Sequence, residues 1–156
     1  MCLVFQDHIK SKMSKPLDGV LVVALEQAVA APYCTSRLAD AGARVIKIER
    51  AEGDFARQYD NQVMGQSAYF VWLNRGKESI ALNLKKEDDK KIFEKILAKA
   101  DVLVENFKPG TLEKWGYGWK EVSKKYPKLI YASASGFGQT GPLKELPAYD
   151  MVVQGM

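Results

Sequence analysis

The stretch LADAGARVIKIER, residues 38–50, constrains the fold more than any other, because it joins a helix end, a turn and a buried strand without a break. Leu38, Ala39 and Ala41 continue an apolar helical stripe, Gly42 supplies the left-handed conformation that ends a helix, and Val45, Ile46 and Ile48 form a β-branched strand. This is the helix-to-strand half of a βαβ unit. It finishes in Glu49 and Arg50 at the carboxyl end of the strand, where open parallel sheets place their ligands.

The neighbouring segments extend the pattern. Residues 20–25 are a continuous apolar run after Asp18 and Gly19, as in a strand covered on both faces. Residues 26–31 read as a loop, and Pro32 suits the first turn of a helix reaching about Ala41. Residues 51–67 carry Gly53, Gly65 and unperiodic charges, an excursion over the ligand-facing edge. Residues 79–84 predict a short strand, and Glu87, Asp88 and Asp89 open a helix whose buried stripe is Ile92, Phe93, Ile96, Leu97 and Ala100. Residues 102–104 predict the next strand, followed by NFKPG and the aromatic turn KWGYGW; Val122 and Tyr126 suggest a brief helix ended by Pro127, and residues 129–134 the last clear strand. AYDMVVQGM, residues 148–156, begins another helical segment. The alternation predicts an α/β class, a Rossmann-like parallel sheet with helices on both faces, truncated so that further strands on the second side of its switch point are not encoded.

A chain of 156 residues, 47% hydrophobic and 27% charged, makes one globular domain or part of one. Its net charge of +4 arises from 23 basic residues interspersed with 19 acidic ones, which predicts a basic pocket and no nucleic-acid partner. Cys2, Cys34 and His8 are too few for a zinc site or a disulfide framework, so no metal is expected and a reducing cytoplasm is the default; Cys34, inside a helix, reads as buried. The short apolar run near the start is far below a signal-peptide core or a membrane span, and no membrane partner is expected. Because MSKPLDGV begins at a second methionine, Met13, residues 1–12 read as an added or misassigned leader, with the flexible start extending to residue 15 and the domain occupying residues 16–156.

Gly136 to Gly141 spells GFGQTG, a literal dinucleotide fingerprint after a strand. That fingerprint must open a helix whose N-terminus faces the pyrophosphate, and Pro142 and Pro147 bracket only LKEL. The first strand-to-helix loop, LEQAVAAP, has no glycine, and no G-K-[ST] follows anywhere. Neither NAD nor a P-loop nucleotide is expected.

Arg50, Arg75, Lys77, Lys85 and Lys86 fall at predicted strand ends, where they read either as a phosphate clamp or as solvated surface charges. Asn106, Phe107 and Trp115 could receive an adenine or a thin pantetheine arm, or belong to the core. Without a usable histidine there is no Ser/His/Asp constellation, which leaves the carboxylates Asp54, Asp60 and Asp150. Asp150 is the best placed; its other reading is the N-cap of the last helix.

From residue 16 to 156 the sequence resembles the family III CoA-transferases, which include formyl-CoA transferase and, as a relative, α-methylacyl-CoA racemase. The resemblance lies in PLDGVLVV, LADAGARVIKIER, LNRGKESIALNLK, KADVLVENFKPGTLEKWG, LIYASASGFGQTGP and AYDMVVQGM. It implies a Rossmann-like large domain that binds coenzyme A (CoA), in ring-like subunits that interlock as a homodimer. CoA or acyl-CoA, as substrate, would lie along Ala28, Val29 and Ala30, Arg50, Leu82 and Lys85, Asn106 and Phe107, and Lys114 with Trp115. Lys114 stands where some relatives have arginine. The implied reaction passes CoA to a small carboxylic acid through anhydrides on an aspartate, which splits one hard exchange into easier steps. That aspartate is expected beyond Met156, so these residues contain no catalytic nucleophile and should be inactive alone; Asp150 matches a supporting acid. The racemase branch relies on a histidine where this chain has Tyr149, whose ordinary pKa of about ten does not suit proton exchange near neutrality. LEQAVAAP and GDFARQYD resemble the branch handling mesaconate, itaconate or citramalate, with Arg57 the natural carboxylate partner. The other reading is a non-catalytic CoA-binding or dimerisation fragment.

Overall fold

The computed structural model describes residues 14–156; the leader, with Cys2 and His8, lies outside them. Five parallel strands, β1 (Leu21–Leu25), β2 (Arg44–Glu49), β3 (Lys77–Ala81), β4 (Val102–Glu105) and β5 (Ile130–Ser133), form one sheet in the order β3-β2-β1-β4-β5. The chain winds outward through β2 and β3, then returns to place β4 on the other flank of β1. The switch point therefore lies between β1 and β4, and β4 and β5 occupy its second side. That corrects the expectation that this side would lack strands.

Side chains on successive strand residues point to opposite faces, and each face has its own core. Val22, Ala24, Val45 and Val104 pack with Ala31 of α1 (Ala30–Asp40). On the other face Val23, Leu25, Ile48 and Leu103 pack under α3 (Glu87–Leu97), α4 (Thr111–Trp115) and α5 (Trp119–Lys125), through Phe93, Leu97, Leu112 and Val122. Phe93 is fully buried and meets Tyr117 edge-on at 4.9 Å between ring centroids.

Several predicted boundaries shift. Helix α1 begins two residues before Pro32, and β3 lies two to three residues earlier than expected. The excursion after β2 contains a short 3₁₀ turn, Phe55–Gln58, and is followed by α2 (Ala68–Asn74), capped by the Ser67 hydroxyl accepting from the Phe70 N–H. The pattern gave no sign of α2, because AYFVWLN has almost no polar residue to mark a face. Helix α4 was also unforeseen, framed by left-handed Gly110 and Gly116. Cys34 projects from the exposed side of α1, not into the core as expected, because the buried side belongs to Ala31, Pro32, Thr35 and Ser36. The GFGQTG segment opens no long helix; only turns separate β5 from α6 (Asp150–Gln154). Asp150 is the first residue of that helix and not its cap; its carboxylate accepts from the Gln154 amide while Tyr149 occupies the cap position. Among the described residues no helix is long and apolar enough to cross a membrane.

Candidate functional site

The carboxyl ends of β1 to β4 converge on a cleft of about 490 Å³ at the switch point. Leu25 to Gln27 form its floor, Ile48 to Asp54 one wall, and Leu82 to Lys85 the continuation after β3. Phe107, Thr111 and Trp115 close the far side. Arg50, Leu82, Lys85, Phe107 and Trp115 thus share one cleft, so Arg50 and Lys85 stand on the same rim.

Local hydrogen bonds explain these placements. Arg50 follows β2 and turns its Nε onto the Gly53 carbonyl at 3.0 Å, with the Glu52 carboxylate 3.9 Å from the same nitrogen, so that the outer nitrogens of an exposed guanidinium make no hydrogen bond among the described residues. Lys85 rides on a turn in which Asn83 Oδ1 accepts the Lys85 N–H at 3.0 Å. Phe107 meets Trp115 at 5.6 Å in an edge-to-face pair, and its N–H donates to Glu105 at 2.9 Å. Burial pushes the Glu105 carboxyl above its ordinary pKa, although the Ser133 hydroxyl and the Phe107 N–H both donate to it.

The other expected contacts lie around the cleft and do not line it. Asn106 clips the loop after β4 to the loop after β1: its Oδ1 accepts the Gln27 N–H and its Nδ2 donates to the Gln27 carbonyl, both at 2.9 Å. Ala28 follows at φ +63°, a left-handed conformation unusual for alanine, held by its N–H donating to Asp54. Val29 caps α1, Ala30 begins it, and Lys114 is exposed on α4. Arg75 and Lys77 do not join the basic rim. Both stand at the amino end of β3, where Arg75 pairs with Asp40 and the Lys77 ammonium is buried on Glu26.

Sequence reasoning missed a buried charge cluster beneath the cleft wall, formed by Glu26, Lys47, Asp54 and Lys77. The available signal was a lysine between Ile46 and Ile48 in a strand expected to be buried, since a buried charge needs a partner. Burial lowers the Lys77 pKa, opposed by the charge and hydrogen bond of Glu26. Beside the cluster, Glu49 binds Arg57 in a two-pronged pair at 2.7 and 3.1 Å and accepts from Ser79 and the Asp54 N–H. The Arg57 guanidinium also lies 3.7 Å from the Phe70 ring centroid. Arg57 is therefore already matched to a carboxylate of this chain. Among the described residues no group of three or more His, Cys, Asp or Glu side chains could hold a metal ion.

A switch-point cleft in a doubly wound sheet, here with two cations and an aromatic pair among its lining residues, is where such sheets place their ligands. Comparison with known proteins gives the class: the sequence profile of CoA-transferase family III matches residues 17–156, and the chain belongs to that family. It is 52% identical over 147 residues to the acetyl-CoA:oxalate CoA-transferase of Acetobacter aceti, covering 94% of this chain and 38% of that protein. It is 40% identical over 144 residues to the succinyl-CoA:glutarate CoA-transferase of Homo sapiens, covering 91% of this chain and 33% of that protein. The crystal structure of a CAIB/BAIF family protein from Brucella suis superposes with a TM-score of 0.86 at 41% identity, covering 91% of this chain and 39% of that one. The chain thus spans between a third and two fifths of the length of these relatives.

Proposed function

We propose that residues 16–156 are the coenzyme-binding part of a CoA-transferase that moves CoA from an acyl-CoA thioester to a small dicarboxylic acid. The observation that carries this reading is the single rim shared by Arg50, Lys85, Phe107 and Trp115 in a chain of family III. Arginine grips phosphate oxygens with a planar fork, lysine adds a mobile charge, and the aromatic pair offers apolar faces. Loops at Ala28, Val29, Ala30 and Asn106 shape the entrance, and Lys114 adds charge beside it. Relatives named for oxalate and glutarate favour short diacids as acceptors. Because Arg57 is engaged by Glu49, acceptor recognition is not assigned to it.

In the proposed reaction an aspartate carboxylate attacks the thioester carbonyl and expels CoA thiolate, leaving an acyl-aspartyl anhydride. Thiolate returns to the aspartyl carbonyl, releasing the donor acid and forming an aspartyl thioester. The acceptor carboxylate repeats both steps in reverse. That aspartate matches no residue among 1–156, and Asp150 is the supporting acid. The resemblance adds an interlocked homodimer, and the low cysteine count adds a reducing cytoplasm as the default compartment.

The test is a panel of acyl-CoA donors and diacids on the longer protein, with Arg50→Ala and Lys85→Ala. Each variant should raise KM for the CoA thioester about tenfold, the worth of one charge-assisted hydrogen bond, with kcat little changed. The 156-residue chain alone should bind CoA and exchange none. Unaltered KM in both variants, or no transfer with any pair, refutes the reading.

A further inference from the structure

Beneath the cleft, four charged side chains are withdrawn from water together: Glu26 and Asp54 are 0% exposed, Lys47 1% and Lys77 2%. Lys47 Nζ donates to Asp54 Oδ2 at 2.7 Å and to Asn74 Oδ1 at 2.9 Å. Lys77 Nζ donates to Glu26 Oε1 at 2.7 Å and to the Pro32 carbonyl at 2.9 Å, and the Thr35 hydroxyl donates to Glu26 Oε2 at 2.6 Å. Every buried side-chain polar atom is satisfied among the described residues. Packed apolar residues would serve stability as well as buried ion pairs do, and often better.

What an apolar pair could not do is visible at Asp54. Its second oxygen, Oδ1, accepts the N–H of Ala28 at 3.1 Å and that of Ala56 at 3.0 Å. One carboxylate thereby fixes two edges of the cleft, the left-handed turn after β1 and the wall after β2. Lys47, rising from the middle of β2, locks that carboxylate in place.

We propose that Lys47 and Asp54 are positioning residues: the pair holds Ala28 at positive φ and the 51–54 wall in register, and so sets CoA affinity without its charges touching CoA. A preformed site does not spend binding energy on ordering its loops. The inference rests on the CoA reading of the cleft.

The test is calorimetric titration of the chain with CoA, alongside thermal melting, for wild type and for the near-isosteric double variant Lys47→Met/Asp54→Leu, which removes both the ion pair and the oxygen that accepts the Ala28 and Ala56 N–H groups. Wild type should bind, and the double variant should melt cooperatively yet bind about tenfold more weakly. Adding Ala28→Gly, which adopts positive φ without strain, should restore part of the lost affinity, a rescue that a merely stabilising role would not give. The amide of Ala28 in wild type should also resist hydrogen exchange as the sheet amides do. Wild-type affinity in the double variant, or fast exchange at Ala28, overturns the inference, and the exchange result holds even if the variant fails to fold. If wild type itself does not bind CoA, the reading of the cleft has failed first and the inference falls with it.

Discussion

Glu49 is one of the residues through which pH reaches this fold. Burial pulls its carboxyl pKa upward, but hydrogen bonds from Arg57, Ser79 and the Asp54 N–H, with the Arg57 charge, outweigh it and bring the pKa from 4.5 to about 2. A carboxyl depressed in the folded state contributes stability that is complete above its unfolded pKa and lost as pH falls through the folded one. Urea unfolding should therefore show a loss between about pH 4.5 and 2, and Glu49→Gln should flatten that slope while lowering stability at neutral pH; an unchanged slope would show that Glu49 is not its source. Arg50, Lys85 and Phe107 were legible in the sequence because they follow strand ends, whereas Trp115 reaches the cleft from the end of α4. Lys47 was not: in VIKIE it looks like an ordinary strand charge, and its partners Asp54 and Asn74 come from an unperiodic loop and an unforeseen helix.

Among elements, α3 carries the core of one sheet face. Acidic residues occupy its first turn, complementing the helix dipole, and Phe93 and Leu97 point inward one turn apart. Phe93→Ala should cost about 3–5 kcal/mol, the usual range for emptying a buried aromatic site, read as a lower urea midpoint. Ile92, expected in the buried stripe, lies on the exposed side instead, so Ile92→Ala should cost far less, and equal losses would mean that the helix packs otherwise. Strands β1, β2, β4 and β5 and helices α1, α3 and α5 announced themselves through β-branched runs, capping charges and spaced apolar residues. Helices α2 and α4 did not, since one is apolar on nearly all sides and the other occupies a single turn between glycines. Their existence is settled by tertiary packing of Leu73 and Leu112, which local pattern cannot register.

At the scale of the molecule, strand order places the cleft. The β3-β2-β1-β4-β5 arrangement opens a crevice above β1, where the first strand-to-helix loop lacks the glycine fingerprint by which a nicotinamide dinucleotide is seated on the helix N-terminus, and the cations offered to phosphates are Arg50 and Lys85 on the rim instead. CoA at a hundred times its Kd should thus raise the melting temperature by roughly 5–10 °C, whereas NADH at the same concentration should leave it unmoved; the reverse order would make the site a nicotinamide one.

The buried quartet has a consequence for descent as well as for binding. Its two ammonium and two carboxylate groups cancel in opposite-charge couples, so losing any single one strands an ion at about 3–5 kcal/mol, a large share of the 5–15 kcal/mol that keeps a typical domain folded. Drift at these four sites is therefore ratcheted: opposite charges must leave together, and lineages carrying this domain should keep all four or exchange them in matched couples.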